Sequence, residues 1–544
     1  MTKSLTPPMK IALAQCNFHV GDIPGNTQQI VREAQQAKTE GARLIVFSEL
    51  ALTGYPPEDL LLRPSLALRI EEALHTIAEA SDGIAIAIGY PKQRGDFLYN
   101  CAGVWDGGEC IGEYAKHELP NYQVFDEKRY FTAGDTPCVI DLDGVKVGLT
   151  VCEDIWFDAP VEKAVAAGAE LLLNLNASPF HSGKQQERVD LLKRHAESHG
   201  VPILYVNQVG GQDELVFDGS SFAVSEQAER VLQMHSWQED LAMVAYADKQ
   251  LTAVSDCRDA REDGLASLYH ALVLGVRDYV TKNRFPGVVL GLSGGIDSAL
   301  TLAIAVDALG PERVRAVMMP FTYTSGMSKE DAGLQAEAMG VDYQSISIEP
   351  MYNEFMSALA PDFAGLPVDT TEENLQSRCR GVLLMAMSNK TGYMVLTTGN
   401  KSEMAVGYAT LYGDMAGGYG ALKDVYKTKV FALAEYRNTI SPVIPQRVID
   451  RPPSAELAPD QIDEDSLPAY PVLDDILERY IEQDESAEQI IAAGHEREDV
   501  MRVIRLVDVN EYKRRQAPIG VRVTRRGFGR DRRYPVTNGW KAGI

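Results

Sequence analysis

Residues 287–298, GVVLGLSGGIDS, constrain the fold more than any other stretch of this chain. Val288 to Leu292 is a run of β-formers that reads as a buried strand, bounded by Gly287 and by a glycine-rich turn. Ser293-Gly294-Gly295-Ile296-Asp297-Ser298 then opens an amphipathic stretch, Ala299 to Leu309, that reads as a helix. A strand feeding a helix through small residues leaves several backbone N–H groups pointing into one concavity, which suits a phosphate. The lysine of a GxxxxGK[ST] loop is missing, which argues against a GTPase-type phosphate site.

At 544 residues the chain is too long for one ordinary core, so two domains are expected. Hydrophobic residues at 45% and charged residues at 24% are those of a soluble globular protein. A formal net charge of −25 argues against a general nucleic-acid binder, because a phosphate backbone would be repelled. The seven cysteines include no CxxC pair, so neither a disulfide framework nor a zinc site is indicated, and the odd count fits a reducing compartment. The opening MTKSLTPPMKIALAQ lacks a signal peptide's continuous apolar region, and no stretch is long enough to span a bilayer. A cytoplasmic location with no membrane partner is the expectation.

In the first half, Lys10 to Gln15, Leu44 to Phe47, Ile84 to Tyr90, Val145 to Val151, Leu171 to Leu175 and Ile203 to Asn207 read as short buried strands. Helix-like segments such as Thr27 to Lys38 and Asp158 to Ala167 lie between them, an α/β rhythm that continues to about residue 250. Three strand exits carry unusual residues: Glu49 in FSELALTGYPPEDLLLRP, Lys116 in EYAKHELPNYQVFDEKRYF and Cys152 in GLTVCEDIWF. Singly, each has a bland reading: a buried thiol, a helix-start carboxylate, a solvated charge.

Together, in this order and with these flanks, the three resemble the Glu–Lys–Cys triad of the nitrilase (carbon–nitrogen hydrolase) superfamily. The resemblance implies a four-layer α-β-β-α sandwich and amide hydrolysis through a thioester. A thiol is a weak nucleophile until deprotonated, so Glu49 is assigned as general base and Cys152 as nucleophile. Lys116 and the backbone N–H after the cysteine would stabilise the oxyanion, and the lysine's charge would favour the thiolate. Glu127 is a candidate carboxylate orienting Lys116. The segment 175–184, LNASPFHSGK, matches the one that holds glutamine in glutaminase members of the superfamily. By that resemblance Tyr122, Ser178 and Lys184 recognise the polar end of glutamine.

Residues 250–265 are polar and lack a clean period, and the domain boundary is expected there, giving domains 1–255 and 256–544. Beyond it, Leu268 to Thr281 is amphipathic, Val314 to Met319 and Asp342 to Ile348 are strand candidates, and residues 372–389 are strongly helical, with Asn374 and Arg378 one turn apart. Tyr393 to Thr398 reads as a buried strand delivering a long glycine-rich, polar and aromatic stretch that runs to Phe431. Strand ends of that composition in an α/β sheet are where ligands sit.

SGGxDS resembles the pyrophosphate-binding loop of the ATP-pyrophosphatase superfamily, whose members adenylate a substrate. GNKSEMAVGYATLYGD (399–414), the segment RPPSAELAPDQIDEDSLPAYPVLDDIL and the tail NEYKRRQAPIGVRVTRRGFGRDRRYPVTNGW narrow the match. With the nitrilase-like half in front, nearly the whole chain resembles the glutamine-dependent NAD⁺ synthetase family. The resemblance implies a doubly wound parallel-sheet synthetase domain. Deamido-NAD⁺ would be amidated through an acyl-adenylate, with glutamine as the ammonia source. Family roles carried over place ATP on Gly291, Leu292, Ser293, Gly294, Gly295, Ile296, Asp297, Ser298 and Thr398. They place deamido-NAD⁺ on Asn374, Glu403 and Lys513, and Mg²⁺ on Asp297 and Glu403, hard oxygen ligands that suit that ion. A homo-oligomer, at least a dimer through the synthetase half, is also implied. The runner-up is another glutamine amidotransferase of the same superfamily, acting on a different carboxylate or nucleotide.

The cluster Lys513, Arg514, Arg515, Arg522, Arg525, Arg526, Arg530, Arg532 and Arg533 is unusual in so acidic a chain. Part of it suits a dinucleotide pyrophosphate; a solvated or subunit-facing surface serves equally for most of its members.

Overall fold

Strands Met9–Gln15, Leu44–Val46 and Ala85–Arg94 run parallel side by side. Antiparallel strands Asp240–Ala247 and Gln250–Ala253 extend this sheet at one edge, and Phe97–Asp106 and Glu109–Ala115 at the other, to seven strands. A second sheet of six orders Arg230–Gln233, Phe222–Val224, Ile203–Asn207, Leu171–Asn176, Val145–Val151 and Val139–Leu142. The period-two alternation of strand side chains decides what each face meets. Ile11 and Leu13 face inward with Val147, Leu149, Leu171 and Leu173 in the core between the sheets. Ala12 and Ala14 face outward, under helices Ile23–Thr39 and Pro64–Ala80. Leu172 and Ile203 of the second sheet turn toward helices Asp158–Ala166 and Lys184–His199. The result is the four-layer α-β-β-α sandwich, and burial on both faces is why these strands read as unbroken apolar runs.

The structure is a computed structural model that describes residues 8–256, 264–454, 456–457 and 467–540. The chain divides into two units, Met1–Gln212 with Val216–Asp263 and Gly264–Ile544 with Asp213–Leu215. Of the polar join expected over 250–265, residues 257–263 lie outside the described residues. So do residue 455 and residues 458–466 of the segment that begins RPPSAELAPDQ.

The second unit holds a five-stranded parallel sheet in the order Asp342–Ser345, Val314–Met318, Val288–Gly291, Met394–Thr397, Tyr419–Gly420. The strand that feeds the glycine loop is central. The strand order reverses between it and Met394–Thr397, so the crevice beyond these two strand ends is a topological switch point. Helix Thr370–Thr391 covers one face, its Cys379 and Leu384 packed with Val289, Val317 and Val395. Helix Ile296–Leu309 lies on the other face, against helices Leu265–Lys282 and Lys427–Ile440. The sequence reading made this helix amphipathic; instead almost every residue of it is buried. A helix sandwiched between a sheet and two further helices has no face left for solvent, so it is apolar all round. Helices Tyr470–Ile481, Ala487–Ala492 and Arg497–Val509 form a further core with Ala405 and Val406 of the short helix Lys401–Val406. Among the described residues no helix is long and apolar enough to cross a membrane.

Candidate active sites

Glu49, Lys116 and Cys152 follow strands Leu44–Val46 and Glu109–Ala115 of the first sheet and Val145–Val151 of the second, and all three are buried. Lys116 Nζ lies 2.7 Å from Glu49 Oε1 and 2.9 Å from each oxygen of Glu127. The ammonium is thus held between two carboxylates, and Glu127 takes the orienting place that the sequence suggested. Asn100 Nδ2 donates to Glu49 Oε1 at 2.7 Å, the Ala177 amide donates to Oε2 at 3.1 Å, and Tyr55 donates to Glu127 at 3.0 Å. Cys152, the first residue after its strand, sits at φ +44°, a left-handed conformation that a non-glycine residue adopts only where the surroundings enforce it.

What enforces it is Asp154, two residues on. Its Oδ2 accepts from the Val151 amide at 2.9 Å and from the Tyr114 hydroxyl at 2.8 Å. Its Oδ1 accepts from the His117 and Glu118 amides at 3.0 and 2.8 Å. One carboxylate therefore ties the turn that carries Cys152 to the segment that carries Lys116.

Burial lowers the affinity of Lys116 for its proton, but the charges of Glu127 and Glu49 outweigh that and raise its pKa well above the usual value. Burial, then the Lys116 charge in opposition, then Glu49 set Glu127, which ends up raised to about 7. Burial first, and then the Glu49 charge, push the Cys152 thiol well above its ordinary value, with Lys116 pulling the other way. The Lys116 charge does favour the thiolate, as expected, but burial and Glu49 outweigh that pull.

Two of the three glutamine-binding candidates, Tyr122 and Lys184, meet the turn Cys152–Trp156. The Tyr122 hydroxyl donates to Glu153 Oε1 at 2.8 Å, and Lys184 Nζ stands 3.8 Å over the Trp156 ring. Burial and then Arg188 lower the Lys184 pKa. Ser178 is held from behind: its amide donates to Asn207 Oδ1 at 2.9 Å, and Arg188 donates to its carbonyl at 2.8 Å. Arg188, fully buried, pairs with Asp218 at 2.8 Å.

In the second unit the Ser293–Ser298 turn is closed by its own serines. The two hydroxyls lie 3.0 Å apart, the Ser293 amide donates to Ser298 Oγ at 3.2 Å, and Ser298 donates to the Gly295 carbonyl at 2.9 Å. Gly294 sits at φ +82°, and a Cβ there would come within 2.3 Å of the Ser328 carbonyl oxygen, so both conformation and space require glycine. The N-cap, Gly295, offers the helix no side-chain acceptor, which leaves first-turn amides for an anion.

Asp297, in that first turn, meets Asn400 Nδ2 at 2.8 Å and Lys427 Nζ at 2.6 Å. Lys427 also lies 3.1 Å from Glu403 Oε1, so the two expected metal ligands flank one ammonium. Asn400 caps the helix that carries Glu403, its side chain accepting from the Glu403 amide at 3.0 Å. Thr398 and Gly399 occupy the strand exit just before this cap.

The three residues expected to meet the dinucleotide gather on one stretch, 399–414. Asn374 accepts from Thr410 at 2.7 Å, Lys513 donates to the carbonyls of Gly407 and Ala409 at 2.8 and 2.9 Å, and Glu403 lies within the stretch. A cavity opens against it, lined by Gly399, Glu403, Ala409, Asp414, Lys423 and Pro518. Burial raises the Asp414 carboxyl and lowers the Lys423 ammonium.

Sequence reasoning missed Asn100, Glu153, Asp154, Arg188, Asp414 and Lys427. Three arginines of the C-terminal cluster are buried against neighbouring side chains. Arg514 pairs with Glu511 at 2.9 Å, Arg522 with Asp531 at 2.7 Å, and Arg532 lies 3.6 Å above the Tyr534 ring.

Residues 10–259 match the carbon-nitrogen hydrolase family, and residues 268–517 match the NAD synthase family. The chain is 53% identical to the glutamine-dependent NAD(+) synthetase of Acinetobacter baylyi, over 98% of this chain and 99% of that one. It is 51% identical to the enzyme of the same name from Xanthomonas campestris, with 98% of each chain covered. Among solved structures, glutamine-dependent NAD+ synthetase from Acinetobacter baumannii in complex with ADP superposes with a TM-score of 0.80 at 51% identity, covering 99% of this chain and 100% of that one. Two intact constellations, one on each unit, and relatives that span the full chain lead to one conclusion: this chain belongs to the glutamine-dependent NAD(+) synthetase family.

Proposed function

We propose that the chain amidates deamido-NAD⁺ to NAD⁺, using ATP to activate the carboxylate and glutamine as the source of ammonia. The observation that carries the reading is Lys116 clamped between Glu49 and Glu127 in the same chain whose Asp297 and Glu403 meet at the phosphate loop. Domains 1–255 and 256–544 divide the two activities.

In the first, Glu49 takes the Cys152 proton as sulfur attacks the glutamine amide carbon. Lys116 Nζ and the Glu153 amide receive the oxyanion, ammonia leaves with that proton, and water hydrolyses the thioester. Tyr122, Ser178 and Lys184 hold the polar end of glutamine. The neutral resting thiol fits this order, because proton transfer coincides with attack.

In the second, a deamido-NAD⁺ carboxylate oxygen attacks the α-phosphorus of ATP and pyrophosphate leaves. Ammonia then attacks the acyl carbon and AMP departs. Carboxylate oxygen is a poor leaving group until adenylated, which is the chemical reason for ATP. Residues Gly291 to Ser298 and Thr398 hold ATP; Asn374, Glu403 and Lys513 hold the dinucleotide. Asp297 and Glu403 fit Mg²⁺: among the described residues no third His, Cys, Asp or Glu joins them, which suits an ion that keeps water and phosphate oxygens. Held by Asp297 and Glu403, the ion would supply positive charge against the phosphates. Lys427 adds positive charge at the same carboxylates.

Free thiols at the six described cysteines suit a cytoplasmic enzyme. Val382, Met385 and Tyr412, exposed along one groove of the synthetase unit, support a homo-oligomer of at least two copies. The deciding experiment measures glutamine-dependent pyrophosphate release with deamido-NAD⁺, xanthosine monophosphate or aspartate. Release with deamido-NAD⁺ alone is expected; release with either of the others in its place overturns the reading.

A further inference from the structure

Arg380, on the helix that covers one face of the synthetase sheet, has no carboxylate partner among the described residues, unlike several arginines of the same unit. Arg315, Arg437 and Arg447 pair with Asp342, Asp307 and Asp331. Arg380 donates from Nε to the Met319 carbonyl at 3.1 Å, and its two terminal nitrogens meet no acceptor among the described residues. The side chain keeps partial access to solvent. It is nevertheless enclosed enough that loss of water draws its pKa down to about 10, against upward pulls from Cys379, Glu456 and Asp414. A partly desolvated cation with no carboxylate in direct contact is destabilising until an anion completes it.

Its position names the anion. Helix Thr370–Thr391 leads into strand Met394–Thr397, which is parallel to Val288–Gly291. The helix therefore runs back along the sheet face, with its N-terminal half toward the C-terminal ends of the strands. Leu384 lies over the last residue of the central strand, since a Cβ on Gly291 would sit 3.6 Å from Leu384 Cδ1 and 3.0 Å from Met319 Cε. Arg380 precedes Leu384 by one turn on the same helix face, so it extends past the strand end. Met319 fixes that reach. Val317 lies in register with Gly291, and the Leu292 amide donates to the Val317 carbonyl at 2.9 Å. The guanidinium is thus tethered at the sheet edge from which the Ser293–Ser298 loop springs, with the 399–414 stretch, through Asp414, close enough for its charge to be felt.

We propose that Arg380 is a phosphate-binding residue of the synthetase site, its two free terminal nitrogens taking a pair of phosphoryl oxygens of ATP and retaining them as pyrophosphate leaves. The proposal rests on the adenylating activity proposed above. A planar fork suits a bidentate phosphoryl contact in a way that an ammonium does not.

The test uses the full chain with ammonium as nitrogen source, so that glutamine hydrolysis plays no part. In Arg380→Gln, inorganic pyrophosphate should inhibit about ten- to a hundredfold less tightly and the KM for ATP should rise, the range expected from charged hydrogen bonds. The KM for deamido-NAD⁺ and the glutaminase rate should stay as in the wild type. Arg380→Lys should recover only part of the pyrophosphate affinity. Unchanged pyrophosphate inhibition in Arg380→Gln overturns the proposal, and so does a rise confined to the KM for deamido-NAD⁺. A wild-type chain that releases no pyrophosphate with deamido-NAD⁺ would overturn the underlying reading instead. Should Arg380→Gln not fold, phenylglyoxal modification of the wild type, mapped by mass spectrometry, decides: ATP or pyrophosphate should protect Arg380, and equal modification with and without them overturns the assignment.

Discussion

Cys152 is a buried thiol with a carboxylate and an ammonium both close enough to move its pKa, and the balance between them sets what the residue can do at rest. Burial and the Glu49 charge hold the thiol well above the ordinary value of 9.0, against the opposing pull of Lys116. Without substrate the group therefore stays protonated through neutral pH and ionises only on the alkaline side. Alkylation by iodoacetamide, followed by mass spectrometry, should be slow at pH 7 and still rising beyond pH 9.0. Glu49→Gln removes one upward push, so the same reaction should begin at lower pH. That substitution also removes the base, and glutamine hydrolysis should fall by roughly a hundred- to ten-thousandfold. A thermal midpoint close to that of the wild type separates this outcome from misfolding, which would also bare the buried thiol and abolish turnover. A wild-type thiol already fully reactive at pH 7 would contradict the assigned balance. Asp154→Asn turns one acceptor oxygen into a donor facing amides, which should cost about 1–3 kcal/mol. It should show as a lower melting temperature and a kcat loss confined to the glutaminase.

Elements show the same dependence on single positions. Gly294→Ala places a methyl group against the Ser328 carbonyl and forces a side chain into a left-handed backbone. The strain is about 1–3 kcal/mol before the clash is counted. Adenylation should fail in this variant while glutamine hydrolysis persists, as separate assays would show. The short helix Lys401–Val406 is anchored through Lys401, fully buried, with Asp424 and Glu482 each at 2.9 Å and the Thr524 hydroxyl at 2.7 Å. Lys401→Met leaves two carboxylates without their cation, a change of about 3–5 kcal/mol. Thermal unfolding should register it as a lower midpoint. These elements also show what sequence can and cannot disclose. Glu49, Cys152 and the SGGIDS turn were legible because each follows closely on a strand that reads as an apolar run, and Lys116 because its flanking residues complete the resemblance to the triad. Lys427 was not: it meets Asp297 across 130 residues, and no local pattern encodes that meeting. Asn100 and Arg188 escaped for the same reason, since their partners lie across the fold. The hairpin Phe97–Asp106 and Glu109–Ala115 carried a turn signal, Asp106-Gly107-Gly108, that was there to be used. The arginine tail misled because charge alone does not reveal that Arg514 and Arg522 are buried against carboxylates.

For the whole molecule, the residues that make ammonia and those that consume it belong to different compact units with separate cores. Cys152, Glu49 and Lys116 all fall in the first unit, whereas Asp297, Glu403 and Lys427 all fall in the second. Loss of one chemistry should therefore leave the other standing. Cys152→Ala removes a buried nucleophile without adding volume, so the sandwich should fold. NAD⁺ synthesis from glutamine should be abolished, and synthesis from added ammonium salts should remain near the wild-type rate. Asp297→Asn has the complementary effect. It takes a negative charge from the site that also holds Lys427 and Glu403, so pyrophosphate release should collapse with either nitrogen source while glutamate still forms from glutamine. Both variants are assayed for NAD⁺, pyrophosphate and glutamate in the same reactions, with circular dichroism to verify folding. Loss of ammonium-dependent synthesis in a folded Cys152→Ala would mean that the synthetase needs the intact glutaminase site and not merely its product. Near-normal NAD⁺ formation by Asp297→Asn would remove that carboxylate from the chemistry altogether.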